Sequence, residues 1–212
     1  RGNATKINSL FLREYVRTGF SLPRPSAAKE VAGGYTDIFR QGVINGIVHC
    51  DVQSLYPSIM LAFKYYPEKD HMGIFPLLLN DLKNFRIQAK ELKKMAKSKD
   101  KENYFDALQS TFKVLINSFY GYLGFTFGNF SDFEAANNVT SKGREIINKM
   151  VDWLKQRNCD VIEIDTDGIY FVPPKEIKSE KEEESLIKEL SDSLPEGINL
   201  ELAGRYKAMF SY

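Results

Sequence analysis

Two aspartates lie one residue apart between two apolar segments. Residues 161–164 and 169–172 are rich in β-favouring side chains, and the link 165-DTDG-168 is of the turn type, so the unit is predicted to be a β-hairpin. On an extended chain Asp165 and Asp167 point to the same side. Two like charges held together favour a neutralising cation, and a divalent metal such as magnesium suits two carboxylates.

The same link also satisfies a turn that binds nothing, because Asp and Gly tolerate turn geometry. An EF-hand loop is excluded by spacing. The fifth position of such a loop must supply an oxygen ligand, but here it would be Ile169. The twelfth position would be Glu176, which lies beyond Pro173 and Pro174. The hairpin tip by itself therefore leaves a turn and a metal site as alternatives.

A third carboxylate, Asp51, ends a short apolar segment that is predicted to be a strand over 46–51. Ser54 is placed as the N-cap of a following helix, with Pro57 in its first turn. A strand-end carboxylate beside free helix N–H groups suits a metal next to phosphates. The simpler alternative is a polar residue that only ends the strand.

Basic residues concentrate in a long helix predicted over 79–101. Arg86 and Lys90 are four residues apart and therefore share a helical face. A second helix is predicted over 102–123, and an antiparallel pairing of the two would bring Lys113 to the same cleft. The two interpretations are a solvated charged face and a cationic clamp for a polyphosphate.

Other segments predict the remaining elements. Apolar spacing predicts helices over 3–18, 129–157 and 175–193, and residues 200–212 predict one or two strands. The pair Gly33–Gly34 marks a turn, or alternatively a close approach of the backbone to a ligand.

Composition sets modest limits. The 212 residues, 43% of them apolar, suffice for one large domain or two small ones, and a net charge of +1 leaves any nucleic-acid surface to local patches. Cys50 and Cys159 are predicted to be buried free thiols in a reducing intracellular compartment, either cytoplasm with nucleoid or nucleus. No membrane span is predicted, because no apolar segment approaches about 20 residues. The start at Arg1 predicts a fragment, a processed product or a trimmed chain.

Several segments, in this order, resemble motifs of family B DNA polymerases. The segments similar to motifs A, B and C are 51-DVQSLYPSI-59, 113-KVLINSFYG-121 and 165-DTDG-168. Three further stretches resemble the family's YxGG-type linker, its fingers-helix Arg-x-x-x-Lys pair and its Thr-x-x-Gly-Arg stretch; these are 33-GGY-35, Arg86 with Lys90, and 140-TSKGR-144. The resemblance covers residues 5–212. Its specificity comes from the number of motifs that occur together in the order typical of the family.

The resemblance implies an α+β fold, with a polymerase palm of short antiparallel β-sheet flanked by helices, plus helical-hairpin fingers. The implied parts are an N-terminal helix and linker over 1–36, first palm part over 37–78, fingers over 79–124 and second palm part over 125–212. The resemblance further implies that the family's exonuclease and thumb domains are absent, because the chain would begin after any exonuclease domain and stops at Tyr212, before the Lys-x-Tyr-type motif and the thumb.

The resemblance also implies a metal site. Asp51 and Asp167 would be the principal ligands of two Mg²⁺ ions, with Mn²⁺ as an alternative metal, and the Val52 carbonyl would assist. Asp165 would be the third catalytic carboxylate, less directly bound. Gly168 departs from the Ser of many members, a change that occurs in active relatives.

The resemblance implies further contacts with nucleotide and DNA. The triphosphate would be bound by the N–H groups of Ser54 and Leu55 together with Arg86, Lys90 and Lys113. Tyr56 would be the steric gate under the sugar, and Asn117 would lie near the incoming nucleotide. The template or DNA contacts would be Gly33, Gly34, Tyr120 and Gly121.

The implied function is template-directed DNA synthesis by two-metal nucleotidyl transfer from a dNTP to a primer 3′-hydroxyl, in a catalytic core fragment or one subunit of a split polymerase. The partners would be primer–template DNA, dNTP and the remaining polymerase domains, in the parent chain or a second subunit. Only 62 positions separate Asp51 from Lys113, which favours a nucleic-acid-primed subtype. The alternative is a nucleotide- and metal-binding or partner-docking module that is inactive alone. A phosphatase using Asp-x-Asp would leave motif B unexplained.

Overall fold

The computed structural model describes residues 2–212, which contain six helices and five strands. The helices are α1 (Asn3–Arg17), α2 (Leu55–Phe63), α3 (Ile74–Met95), α4 (Lys99–Leu123), α5 (Phe133–Gln156) and α6 (Glu180–Asp192). The strands are β1 (Thr36–Ile38), β2 (Gly42–Val52), β3 (Asp160–Asp165), β4 (Gly168–Val172) and β5 (Leu200–Ser211). None of these helices is both long and apolar enough to span a bilayer.

The chain divides into two compact units, each built from two separate segments. The helical unit comprises the chain up to Val31 together with Lys64–Asn137, and it contains α1, α3 and α4. The sheet unit comprises Ala32–Phe63 and Asn138–Tyr212, and it contains all five strands with α2 and α6. Helix α5 begins in the first unit and continues through the second.

The sheet unit has one five-stranded sheet in the order β1-β3-β4-β2-β5, and every neighbouring pair is antiparallel. The predicted hairpin is confirmed as β3–β4, with Asp165 paired to Gly168 across its tip. The predicted palm-like α+β fold is confirmed as well. Strand β1 was not predicted, because three residues after a glycine pair carry no periodic signal, and it forms by pairing with β3.

Helices α5 and α6 each bury an apolar stripe. In α5 the stripe comprises Val139, Ile146, Ile147, Met150 and Leu154. Helix α6 begins with a capping box between Ser179 and Glu182, and the Arg205 guanidinium of β5 is paired with Glu183 on α6. The buried side chains of Cys50 and Cys159 are free thiols, as the sequence predicted.

The start of α3 corrects one prediction. The sequence predicts a helix from residue 79, whereas the helix begins at Ile74. The Asp70 carboxylate accepts hydrogen bonds from the N–H groups of Ile74 and Phe75 at 3.1 and 2.7 Å, which caps the first turn. Pro76 is compatible with that turn, because the missing N–H group would have no partner there.

The second long helix also begins earlier than predicted, at Lys99 rather than residue 102. Ser98 caps it by accepting a hydrogen bond from the Lys101 N–H group at 3.4 Å. Helices α3 and α4 form an antiparallel hairpin. The Phe85 and Phe112 rings lie 5.9 Å apart at one level, and the Lys93 ammonium contacts the Asp106 carboxylate at 2.7 Å nearer the turn.

Candidate active site

Strand pairing brings the backbone positions of two predicted catalytic aspartates next to each other. Asp51 in β2 is the direct strand partner of Gly168 in β4, and the Val52 N–H donates to the Asp167 carbonyl at 2.8 Å. The Asp51 and Asp167 side chains are both half-buried, and the Oδ1 atom of Asp51 is buried. Residues that are far apart in sequence thus present their carboxylates from adjacent positions of one sheet.

The turn that carries Asp165 and Asp167 has an unusual backbone. Thr166 between them has φ +51°, in the left-handed region that β-branched residues rarely adopt. The Thr166 N–H donates to the Tyr35 carbonyl at 2.9 Å, and the Asp167 N–H donates to the Asp165 carbonyl at 2.6 Å. A left-handed threonine persists only where its surroundings hold it, and such positions concentrate at functional sites.

Gly34 packs against this turn. A Cβ atom on Gly34 would lie 2.7 Å from the Thr166 hydroxyl oxygen and 3.0 Å from its methyl carbon. These distances require the Thr166 side chain to move, so only glycine fits without displacing that side chain. Gly33 differs, because no atom lies within 4 Å of its Cβ position. Of the two glycines predicted to approach DNA, Gly34 therefore has an internal contact that the sequence did not indicate.

Helix α2 begins at Leu55, shortly after Asp51. Ser54 immediately precedes the helix, as predicted, and its carbonyl accepts from the Ser58 N–H at 2.9 Å. Its φ of +48° makes it a second left-handed residue close to the carboxylates. The N–H groups that begin a helix have no partner within it, so those at Ser54 and Leu55 are suited to an anion.

An aromatic pair adjoins the carboxylates and was not predicted. The His49 and Tyr170 rings are stacked at 4.0 Å between centroids, on residues that are direct strand partners. A Cβ atom on Gly168 would lie 2.4 Å from His49 Nε2, so glycine at this position leaves room for the imidazole. The sequence could have indicated that His49 lies near the carboxylates, because it precedes Asp51 by two residues and so lies on the same strand face.

Electrostatics agree with that placement. Burial lowers the pKa of the His49 imidazole, while the carboxylates of Asp165 and Asp167 act in the opposite direction. Burial also raises the pKa of the Tyr170 hydroxyl, and the nearby Tyr206, Asp165, Glu163 and Asp51 side chains act in the same sense. The exposed face of the sheet is therefore strongly acidic around the hairpin tip.

The predicted cations lie in the helical unit. Arg86 on α3 is half-buried and Lys90 is exposed one turn later. On α4, Lys113 and Asn117 are exposed and also one turn apart. The contact between Phe85 and Phe112 places the neighbouring Arg86 and Lys113 at the same level of the hairpin, and their facing one cleft together with Lys90 stays a prediction.

The end of α4 carries the last two predicted DNA contacts. Tyr120 is half-buried and Gly121 is exposed. No atom lies within 4 Å of the position a Gly121 Cβ atom would take, so the backbone is open there. An exposed glycine of this kind is compatible with close approach of a ligand.

The donor set fits a hard divalent cation. Asp51 and Asp167 supply carboxylate oxygens and Val52 supplies a carbonyl, which are the ligand types that magnesium prefers. Within residues 2–212, no three His, Cys, Asp or Glu side chains are grouped so that they could hold an ion by themselves. Magnesium bound by one or two carboxylates completes its shell with water and substrate oxygens.

Comparison with known proteins gives a consistent result. The family model described as DNA polymerase family B matches residues 63–186, more than half of the chain. "DNA polymerase 1" of Pyrococcus abyssi is 31% identical over 201 residues, covering 84% of this chain and 26% of its own length. The DNA polymerase of Archaeoglobus fulgidus is 28% identical over 230 residues, covering 99% of this chain and 29% of its own.

The fold has a solved counterpart. The structure of the family B DNA polymerase from Pyrobaculum calidifontis matches 100% of this chain and 31% of its own length, with a TM-score of 0.74 and 23% sequence identity. The chain belongs to DNA polymerase family B. It spans only about a quarter to a third of the length of the relatives it matches.

Proposed function

We propose that this chain performs template-directed DNA synthesis, joining a dNTP to the 3′-hydroxyl of a primer by two-metal nucleotidyl transfer. The observation that carries the proposal is the strand register, in which Asp51 pairs with Gly168 and Val52 bonds to the Asp167 carbonyl. Nucleotidyl transfer requires little covalent chemistry from the protein. It requires carboxylates in fixed positions and donors for the phosphates.

The chain's own residues have separate roles in this proposal. Asp51 and Asp167 hold Mg²⁺ or Mn²⁺, with the Val52 carbonyl as a further ligand and Asp165 beside them. When bound, the two ions supply Lewis-acid activation of the 3′-hydroxyl and neutralise the pyrophosphate leaving group. The turn restrained by Tyr35 keeps the carboxylates in place before substrate arrives, which lowers the reorganisation required for reaction.

Binding of the nucleotide falls to other residues. The N–H groups of Ser54 and Leu55 donate to phosphate oxygens at the start of α2. The Arg86, Lys90 and Lys113 side chains bind the triphosphate through charge-assisted hydrogen bonds. Tyr56 acts as the steric gate against a 2′-hydroxyl, and Asn117 lies near the incoming nucleotide. The residues that contact the template or DNA are Gly33, Gly34, Tyr120 and Gly121.

A second candidate function is a module that binds nucleotide and metal without turnover of its own. It is favoured by the length of the relatives, because this chain spans 26% of the Pyrococcus abyssi protein. Polymerases hold DNA through phosphate contacts spread over a large surface. A chain of this size alone would therefore bind primer–template weakly, and the remaining polymerase domains would be its natural partners.

The test is single-nucleotide extension of a labelled primer–template with magnesium at high protein concentration, comparing the native chain with Asp167→Asn. We expect slow extension by the native chain and a loss of about 10³-fold or more in the variant, because the amide cannot supply the anionic metal ligand. Asp160→Asn is the matched control, since Asp160 is an exposed carboxylate at the other end of the same hairpin, paired with Arg40.

Three other outcomes have distinct meanings. Extension that persists in Asp167→Asn contradicts the catalytic assignment. Magnesium-dependent dNTP binding without extension supports the binding module. Absence of both extension and nucleotide binding in the native chain contradicts the whole site assignment.

A further inference from the structure

Gly143 is buried in the interior of α5 at the point where that helix crosses α2. A Cβ atom built on Gly143 would lie 3.2 Å from Cε1 of the Tyr56 ring. It would also lie 3.5 Å from Ile59 Cδ1 and 3.6 Å from Leu55 Cδ2. The last two are ordinary van der Waals distances, whereas the first is tighter than most real Cβ contacts allow. Any side chain at this position would press on the Tyr56 ring.

Backbone conformation does not explain this glycine. Gly143 lies within a continuous α-helix and has no positive φ, so other residues could adopt its conformation. A glycine in a helix interior is less favourable than alanine by about 1 kcal/mol. What glycine provides here is close approach of the two helices. The contact between α5 and α2 continues next to Gly143, where the Lys142 ammonium lies 4.9 Å from the centre of the Phe63 ring on α2.

We propose that Gly143 is a positioning residue for Tyr56, and that α5 backs the Tyr56 ring so that the ring holds a defined depth in the sugar pocket. This inference rests on the proposed function, in which Tyr56 lies under the sugar of the incoming nucleotide. Tyr56 is half-buried, and Cε1 of its ring lies against the Gly143 position on α5. A ring that could retreat would admit a 2′-hydroxyl at little cost, and the helix backbone at Gly143 removes that freedom.

Gly143→Ala tests the contact through sugar selection. We expect the added methyl group to displace the Tyr56 ring away from α5, which would narrow the proposed sugar pocket. We expect kcat/KM for dNTP to fall about fivefold, mainly through KM, and the ratio of kcat/KM for dNTP over rNTP to rise at least threefold. In a Tyr56→Ala background, the same substitution should leave that ratio unchanged, because the ring it acts on is absent.

Two controls separate this effect from general changes in the helix. Asn148→Ala raises the helix propensity of an exposed position on α5, and it should leave the dNTP/rNTP ratio unchanged. Thermal melting provides a second readout. If Gly143→Ala alone does not fold, the contact requires that the Tyr56→Ala/Gly143→Ala double variant folds, and a double variant that also fails to fold overturns the proposal.

The remaining outcomes also separate the two levels of inference. Extension with an unchanged ratio in Gly143→Ala, or an equal change in both backgrounds, overturns the role of Gly143 and leaves the proposed function standing. Absence of extension by the native chain overturns the proposed function, and the inference falls with it.

Discussion

The two units hold their candidate functional groups in different ways. In the sheet unit, Asp51 lies at the end of β2 and Asp167 in the β3–β4 turn, joined by a backbone hydrogen bond from Val52 to Asp167, and Thr166 is restrained from two sides. In the helical unit, Lys90 and Lys113 are exposed on the surfaces of long helices. Metal ligands tolerate little positional error, whereas a flexible lysine can reach a phosphate from several positions. The comparison indicates that small packing changes should matter in the sheet unit and charge changes in the helical unit.

The largest effect in this comparison is expected from Gly34→Ala. The new methyl group would meet the Thr166 side chain at 2.7 Å and must displace it, and we expect this to disturb the turn that carries Asp165 and Asp167. We expect kcat for single-nucleotide extension to fall about 30-fold with little change in KM for dNTP, equivalent to about 2 kcal/mol in the barrier. Rapid-quench kinetics at saturating primer–template would measure it.

A second substitution checks the cause. Thr166→Ala removes both the hydroxyl and the methyl group that the new Cβ atom would meet, so the Gly34→Ala/Thr166→Ala variant should recover most of the loss seen in Gly34→Ala. If the double variant is as slow as the single one, the contact with Thr166 is not the reason that position 34 requires glycine.

A smaller effect of a different kind is expected from Lys113→Ala. If Lys113 binds the triphosphate as proposed, its loss removes a charge-assisted contact to phosphate, which contributes about 1.5–3 kcal/mol. We expect KM for dNTP to rise about tenfold with kcat within a factor of two, and we expect added salt to reduce the difference between the two proteins. Steady-state extension at two ionic strengths measures both. A loss confined to kcat would instead assign Lys113 to the chemical step.

The smallest effect is expected where α3 and α4 are joined by an exposed ion pair. The Lys93 ammonium contacts the Asp106 carboxylate at 2.7 Å, and both side chains are more than a third exposed. Exposed pairs contribute little to stability. Lys93→Ala should therefore change the melting temperature by less than about 2 °C and leave KM for dNTP unaltered. A larger shift in either quantity would show that the geometry of the hairpin is under tighter control than the comparison indicates.

Periodicity and motif spacing predicted most of the elements and nearly all of the candidate residues. The β3–β4 hairpin and the α3–α4 pair followed from local patterns, and the family motifs named the carboxylates and cations. The errors were one missed strand, β1, and several element boundaries. Helix α3 begins at Ile74 because the Asp70 carboxylate caps it, and Asp70 is in turn fixed by the Tyr15 hydroxyl at 2.7 Å. Tyr15 is 55 positions away, so no local pattern could show this contact.

The sequence by itself determined the family, the element types and which side chains carry charge at the site, because these depend on residue identity and short-range spacing. The tertiary structure decided which residues contact each other. Strand register placed Asp51 beside Asp167, packing set Gly34 against Thr166, and a helix crossing set Gly143 against Tyr56. Each is a contact between segments that are distant in sequence. The reason for a glycine at positions 34 and 143 becomes visible only when the atoms that occupy the space beside it are known.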